Sequence, residues 1–85
     1  MRVKVRIKRS HIKNGRRGSH STCPYALAIR DIGGTNIDAD GKYLTFTYKR
    51  EHIARVHTKK VCLFIRNFDD GVPVKPMTVI LDGMP

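Results

Sequence analysis

Eighty-five residues suffice for one hydrophobic core and leave little room for a deep catalytic cleft, because so short a chain buries only about 60–65% of its unfolded surface. Seventeen Lys and Arg stand against seven Asp and Glu, a formal charge of +10 that repels itself and calls for a neutralising partner. Two cysteines are too few for a disulfide scaffold, and the longest apolar run, Val61 to Ile65, is far short of the roughly 20 residues of a membrane span.

The N-terminus opens on strict alternation. Arg2, Lys4, Arg6 and Lys8 interleave with Val3, Val5 and Ile7, and a period of two predicts a strand with one face in the core and one in water. The same charged start has no apolar h-region, so a signal peptide is not expected and a cytoplasmic, reduced protein is. Residues 9–22, rich in Gly, Ser and charge, predict a long loop.

Cys23-Pro24 then opens a short helix, because Pro tolerates the first helical position. Cys23 occupies the cap position, with Ser21 and Thr22 as alternative cap donors of oxygen. Leu27, Ala28 and Ile32 form the expected buried stripe, and Gly33-Gly34 ends the helix. Asp40-Gly41 signals a hairpin between a strand near residues 36–39 and a clear strand at residues 43–48, where Leu44, Phe46 and Tyr48 alternate with Tyr43, Thr45 and Thr47. Residues 50–56 suggest a further strand, although Ile53 and Val56 fall on different faces.

Residues 58–70 read two ways. Val61, Phe64, Ile65 and Phe68 make a helical stripe at i, i+3, i+4 and i+7, with Thr58 to cap it and Gly71 to stop it. Val61 to Ile65 alone also suits a buried strand, and Lys59-Lys60 and Asp69-Asp70 oppose a helix dipole. Length and the terminating Gly favour the helix. Pro73 and Pro76 confine the last strand to residues 77–81, near an edge. The expected fold is one α+β domain: a small, mostly antiparallel sheet with two short helices, in the order β-α-β-β-(β)-α-β.

Four groups of residues suggest chemistry. The first is cationic. Arg2, Lys4, Arg6, Lys8, Arg9, Lys13, Arg16, Arg17 and Arg30 fall within thirty residues that contain no Glu and no Asp. On a strand the alternating cations repeat every ~6.6–6.8 Å, so they can follow a phosphate backbone, with Arg16-Arg17-Gly18 as a clamp at the corner. The plainer alternative is a solvated face that protects a sheet edge. Second, Cys23 at a helix start, three residues after His20, suits a thiol of lowered pKa, although a small buried residue under a loop explains it as well. Third, His11, His20 and Cys23, and separately His52, His57 and Cys62, contain metal-ligand residue types, but the paired CxxC or HxxxH spacings of a closed zinc site are missing. Fourth, Tyr43 and Tyr25 can stack bases beside Lys42 and Lys49, or simply pair across strands.

His11-Ile12-(x)2-Gly15 followed by Cys23-Pro24-Tyr25-Ala26-Leu27-Ala28-Ile29-Arg30 resembles the opening of small bacteriophage-encoded proteins of uncharacterised function. Phe64-Ile65-Arg66-Asn67-Phe68-Asp69-Asp70-Gly71-(x)-Pro73-Val74-Lys75-Pro76 resembles their closing helix, turn and strand. The likeness covers about half the chain, implies a helix at residues 58–70, and implies no catalytic residue. It brings the expectation of an accessory protein that acts on a host machine.

These readings converge on a binding protein without cofactor, metal or catalysis. Arg2, Lys4, Arg6, Lys8, Arg9, Lys13, Arg16, Arg17, Arg30 and Lys49 are the expected contacts to DNA or RNA, or to an acidic surface of a nucleic-acid-handling host complex. The alternatives are a host-protein inhibitor anchored by Tyr25, Tyr43 or Met77, and third a Cys23-dependent enzyme.

Overall fold

Strand β1 (Val3–Ile7) forms where the alternation demands it: Val5 and Ile7 are buried while Lys4 and Arg6 face solvent. A computed structural model, which describes residues Met1–Pro85, pairs β1 antiparallel with β5 (Met77–Leu81), aligning Val5 with Val79 and Ile7 with Met77. Strands β2 (Thr35–Ala39), β3 (Tyr43–Tyr48) and β4 (Glu51–Val56) form a separate antiparallel meander. The strands therefore make two sheets rather than the single one expected, in an α+β fold whose strands follow the predicted order.

Three helices join them. Helix α2 (Pro24–Asp31) and helix α3 (Lys59–Asp69) are the expected pair. Pro24 stands at the start of α2, and the Cys23 thiol accepts the Ala26 N–H at 3.4 Å. Thr58 caps α3 by accepting the Val61 N–H at 3.3 Å, and Val61, Phe64, Ile65 and Phe68 form its buried stripe. The stripe of α2 differs from the expected one. Tyr25, Ala26, Ala28 and Ile29 are buried, whereas Leu27 and Ile32 are half-buried. The helix is wedged between α1, β1 and β2, so the residues that meet both sheets, not the most apolar ones, fill the interior.

Helix α1 (Arg9–Asn14) is a correction to the long loop expected at residues 9–22. A six-residue helix of such sequence cannot stand on propensity alone; tertiary contacts hold it. The His11 Nδ1 accepts the Lys8 N–H at 2.9 Å, and Nε2 lies 2.6 Å from an Asp31 carboxylate oxygen on α2. Since Nδ1 accepts, Nε2 carries the proton and donates it to Asp31. Gly15 ends α1 where a Cβ would lie 2.6 Å from the Pro24 ring.

Both hairpins of the meander show their chemistry. Asp40 accepts the Lys42 and Tyr43 N–H groups at 2.7 and 2.6 Å, and these bonds hold its carboxyl below the usual range. The β3–β4 turn consists of Lys49 and Arg50, at φ 49° and 67°, between the paired Tyr48 and Glu51. Positive φ at both central residues is the geometry that Asn-Gly favours, and an L-residue there costs about 1–2 kcal/mol. We expect Lys49→Asn combined with Arg50→Gly to raise stability by about 1–2 kcal/mol, read as a higher urea midpoint at unchanged slope. An unchanged midpoint would show that the turn carries no such cost.

One core of 18 buried residues unites the elements, with Tyr25, Ile29, Leu44 and Phe46 at its centre and Val61, Phe64 and Ile65 of α3 covering it. No helix is long and apolar enough to cross a membrane.

Candidate nucleic-acid interface

The pairing of β1 with β5 turns the cationic alternation into a surface. Lys4 and Arg6 emerge exposed on the outer side of this two-stranded ribbon, two residues apart and so ~6.6–6.8 Å apart along the strand, and exposed Lys8, the extended residue between β1 and α1, continues the row. Arg6 and Lys8, with Arg9 at the start of α1, line a cleft of about 340 Å³ closed by Pro76, Met77 and Thr78. On the other flank Lys4, Arg6 and Lys8 border a second hollow of about 190 Å³ against Ala28, Asp31 and Ile32 of α2. The cation row thus runs as a ridge between two depressions.

Its charge is uncompensated. Among Lys and Arg side chains, Arg2 alone is ion-paired, to Asp82 at 3.0 Å, and that exposed pair contributes little to stability. Four of the seven acids are engaged elsewhere. Asp31 accepts from His11, Asp38 faces His20 at 3.2 Å, Asp40 holds its turn, and Asp69 accepts the Gly18 N–H at 2.9 Å. Although Asp31 borders the hollow beside Lys4, Arg6 and Lys8, its partner is His11.

The other predicted contacts divide. Lys13 on α1 and Arg16 after it are exposed. Arg17 is not half of a free clamp: its guanidinium packs over Gly71, 3.3 Å from where a Cβ there would lie, at the end of α3 where a helix favours a cation. With Gly18 held by Asp69, the Arg16-Arg17-Gly18 corner is fastened to α3 rather than projecting as a unit. Arg30 donates to the Ser21 carbonyl at 3.4 Å, bracing the loop. Lys49 belongs to the other sheet, its ammonium 5.4 Å from the Tyr48 ring. Pro76, Met77 and Thr78 were not foreseen, because only the pairing of β5 with β1 brings them beside Arg6.

Two further expectations need correction. Tyr25, expected as an exposed stacking or anchoring ring, is 1% exposed, and burial pushes its phenol well above its ordinary pKa. Tyr43 does remain exposed, and Met77 is half-buried. The Cys23 thiol is buried, and desolvation raises its pKa rather than lowering it, the opposite of an activated nucleophile. His20 turns to Asp38 instead. At neutral pH, iodoacetamide should therefore modify half-buried Cys62 first and reach Cys23 only as the protein unfolds, as peptide mass mapping would show. Rapid labelling of Cys23 in the folded protein would refute its inert role.

No three His, Cys, Asp or Glu side chains come together in a group able to hold a metal ion. His11, His20 and Cys23 are parted by their separate tasks on Asp31, Asp38 and the α2 cap. No known family model matches the chain, and neither a curated protein nor a solved structure is significantly similar to it.

Proposed function

We propose that this chain is a non-enzymatic accessory protein, of the phage type its sequence resembles, that binds nucleic acid through the outer face of the β1–β5 ribbon. The observation that carries this reading is the ridge of Lys4, Arg6 and Lys8, exposed, without ion pairs and flanked by hollows. Such a row meets consecutive phosphates, and release of their counterions supplies affinity that depends on charge rather than on base sequence. Lys13 and Arg16 extend the positive field. Arg9, beside Met77 and Thr78 in the larger cleft, offers a guanidinium for bidentate contact with a phosphate.

A second reading, binding to an acidic protein surface, draws on Tyr43 and Val56. They are 47% and 68% exposed and stand opposite each other across β3 and β4, an apolar anchor of the kind protein interfaces use. Fluorescence anisotropy with labelled duplex DNA, single-stranded DNA and RNA across a salt series separates the two. Binding that weakens steeply with salt supports the ribbon reading. No binding to any of them at low salt removes it and leaves the protein partner.

A further inference from the structure

A cavity of about 190 Å³ lies where the two sheets part, between the end of β4, the start of α3 and β5. Val61, Val79 and Leu81 wall it, with exposed Val56 and Ile80 at its rim. Short valine side chains at these positions leave room that longer residues would have filled. An apolar cavity of ~150 Å³ accommodates a benzene ring, so a single six-membered ring with substituents fills this one, and a fused pair of rings would extend out of its mouth.

Tyr25 and His57 bring polar atoms to this apolar wall. Tyr25 is almost wholly buried and lines the cavity, and because no buried side-chain polar atom lacks a partner, its hydroxyl, which bonds no protein group, keeps the little accessible surface the residue has. The His57 ring, 5.6 Å from that of Tyr25, uses Nε2 on the Asp40 carbonyl at 2.8 Å. A carbonyl only accepts, so Nε2 bears the proton and Nδ1 keeps a free lone pair. Two atoms of the lining residues are thus left without a protein partner: a hydroxyl that both donates and accepts, and a ring nitrogen that accepts. Arg55, the cation in the lining, is held by the Ala54 and Asp82 carbonyls at 2.9 and 3.1 Å, and the Asp82 carboxylate by Arg2. With its charges tied back and its wall apolar, the cavity suits a neutral ligand; an anion would lose hydration there without a free cation to replace it.

We propose that this cavity binds one single-ring nucleobase, a pyrimidine, with its ring between the valines and its amide-like edge at Tyr25 and His57. Uracil or thymine would supply a ring N–H to Nδ1 of His57 and a carbonyl to the Tyr25 hydroxyl, and cytosine its amino N–H and acceptor ring nitrogen, the kind of edge pairing by which unstacked bases are recognised. This deepens the nucleic-acid reading but is testable apart from it, because a nucleoside carries a base and no phosphate.

Titration of the isotope-labelled protein with uridine, cytidine, thymidine and adenosine, followed by amide NMR shifts, tests the assignment. Saturable shifts are expected at Tyr25, His57, Thr58, Val79 and Leu81, with dissociation constants on the order of 1 mM and adenosine weaker. Tyr25→Phe removes only the unpartnered hydroxyl and should weaken uridine about three- to tenfold. Val56→Trp, at the exposed rim, should block entry without touching the core. Absence of saturable shifts with every nucleoside would overturn the proposal, as would tighter adenosine binding or equal uridine affinity in both variants. If nucleosides bind while oligonucleotides show no salt-dependent binding, the ribbon reading fails alone; the reverse result removes the cavity alone.

Discussion

Replacing Lys4, Arg6 and Lys8 together by Ala should weaken binding to duplex DNA on the order of 100-fold near 0.1 M salt and flatten the salt dependence. Each phosphate contact contributes about 0.9 to the slope of log affinity against log salt, so three lost contacts should lower it by roughly 2–3. The loss should be similar across sequences, because phosphate contacts position a duplex without reading it. The fold should survive. All three side chains are exposed, and Lys8 serves α1 through its backbone N–H and carbonyl. Lys49→Ala, on the other sheet, is the control that should change little. Anisotropy across the salt series decides: an unaltered slope in the triple variant would mean that the ridge does not meet the phosphates.

Gly34→Ala should cost the protein more stability than any exposed substitution. A Cβ at Gly34 would lie 2.5 Å from Ile29 Cγ2, 2.9 Å from the Ile29 carbonyl and 3.1 Å from the Phe46 ring. Ile29 and Phe46 are fully buried, and the carbonyl is main chain at the end of α2 that accepts the Gly34 N–H itself. Neither can yield cheaply in a close-packed interior. The expected loss is about 1–3 kcal/mol, and at ~4–8 °C per kcal/mol for a domain of this size the melting midpoint should fall by roughly 4–24 °C. Gly41→Ala is the matched control. Nothing lies within 4 Å of its Cβ position and its φ is outside the left-handed region, so its midpoint should hold or rise slightly. Equal melting of the two variants would show that the α2–β3 approach is looser than described.

The cationic face of β1 was legible for a simple reason. Alternation at period two decides which side chains share a face before any partner strand is known, and Arg2, Lys4, Arg6 and Lys8 obey it. The clefts beside them were not legible, since Met77 and Thr78 reach Arg6 and Ile7 across about seventy residues of chain. The Arg16-Arg17 corner was misjudged on the same ground: nothing local in a Gly- and Arg-rich segment announces that Asp69 and Gly71, at the far end of α3, will hold it.

By itself the sequence determined what local physics governs: strand β1 from its alternation, the start of α2 from Cys23-Pro24, α3 from its apolar stripe, and the Asp40-Gly41 turn from its carboxylate and backbone. Tertiary structure decided the rest. It built α1 through the His11–Asp31 bond, buried Tyr25 where a surface ring was expected, raised the pKa of the Cys23 thiol by desolvation, and imposed left-handed backbone on Lys49 and Arg50. It also split the strands into two sheets, which opened the cavity between β4 and β5. Each of these depends on free energy gained between residues distant in the chain, and composition and spacing do not record which distant residues will meet.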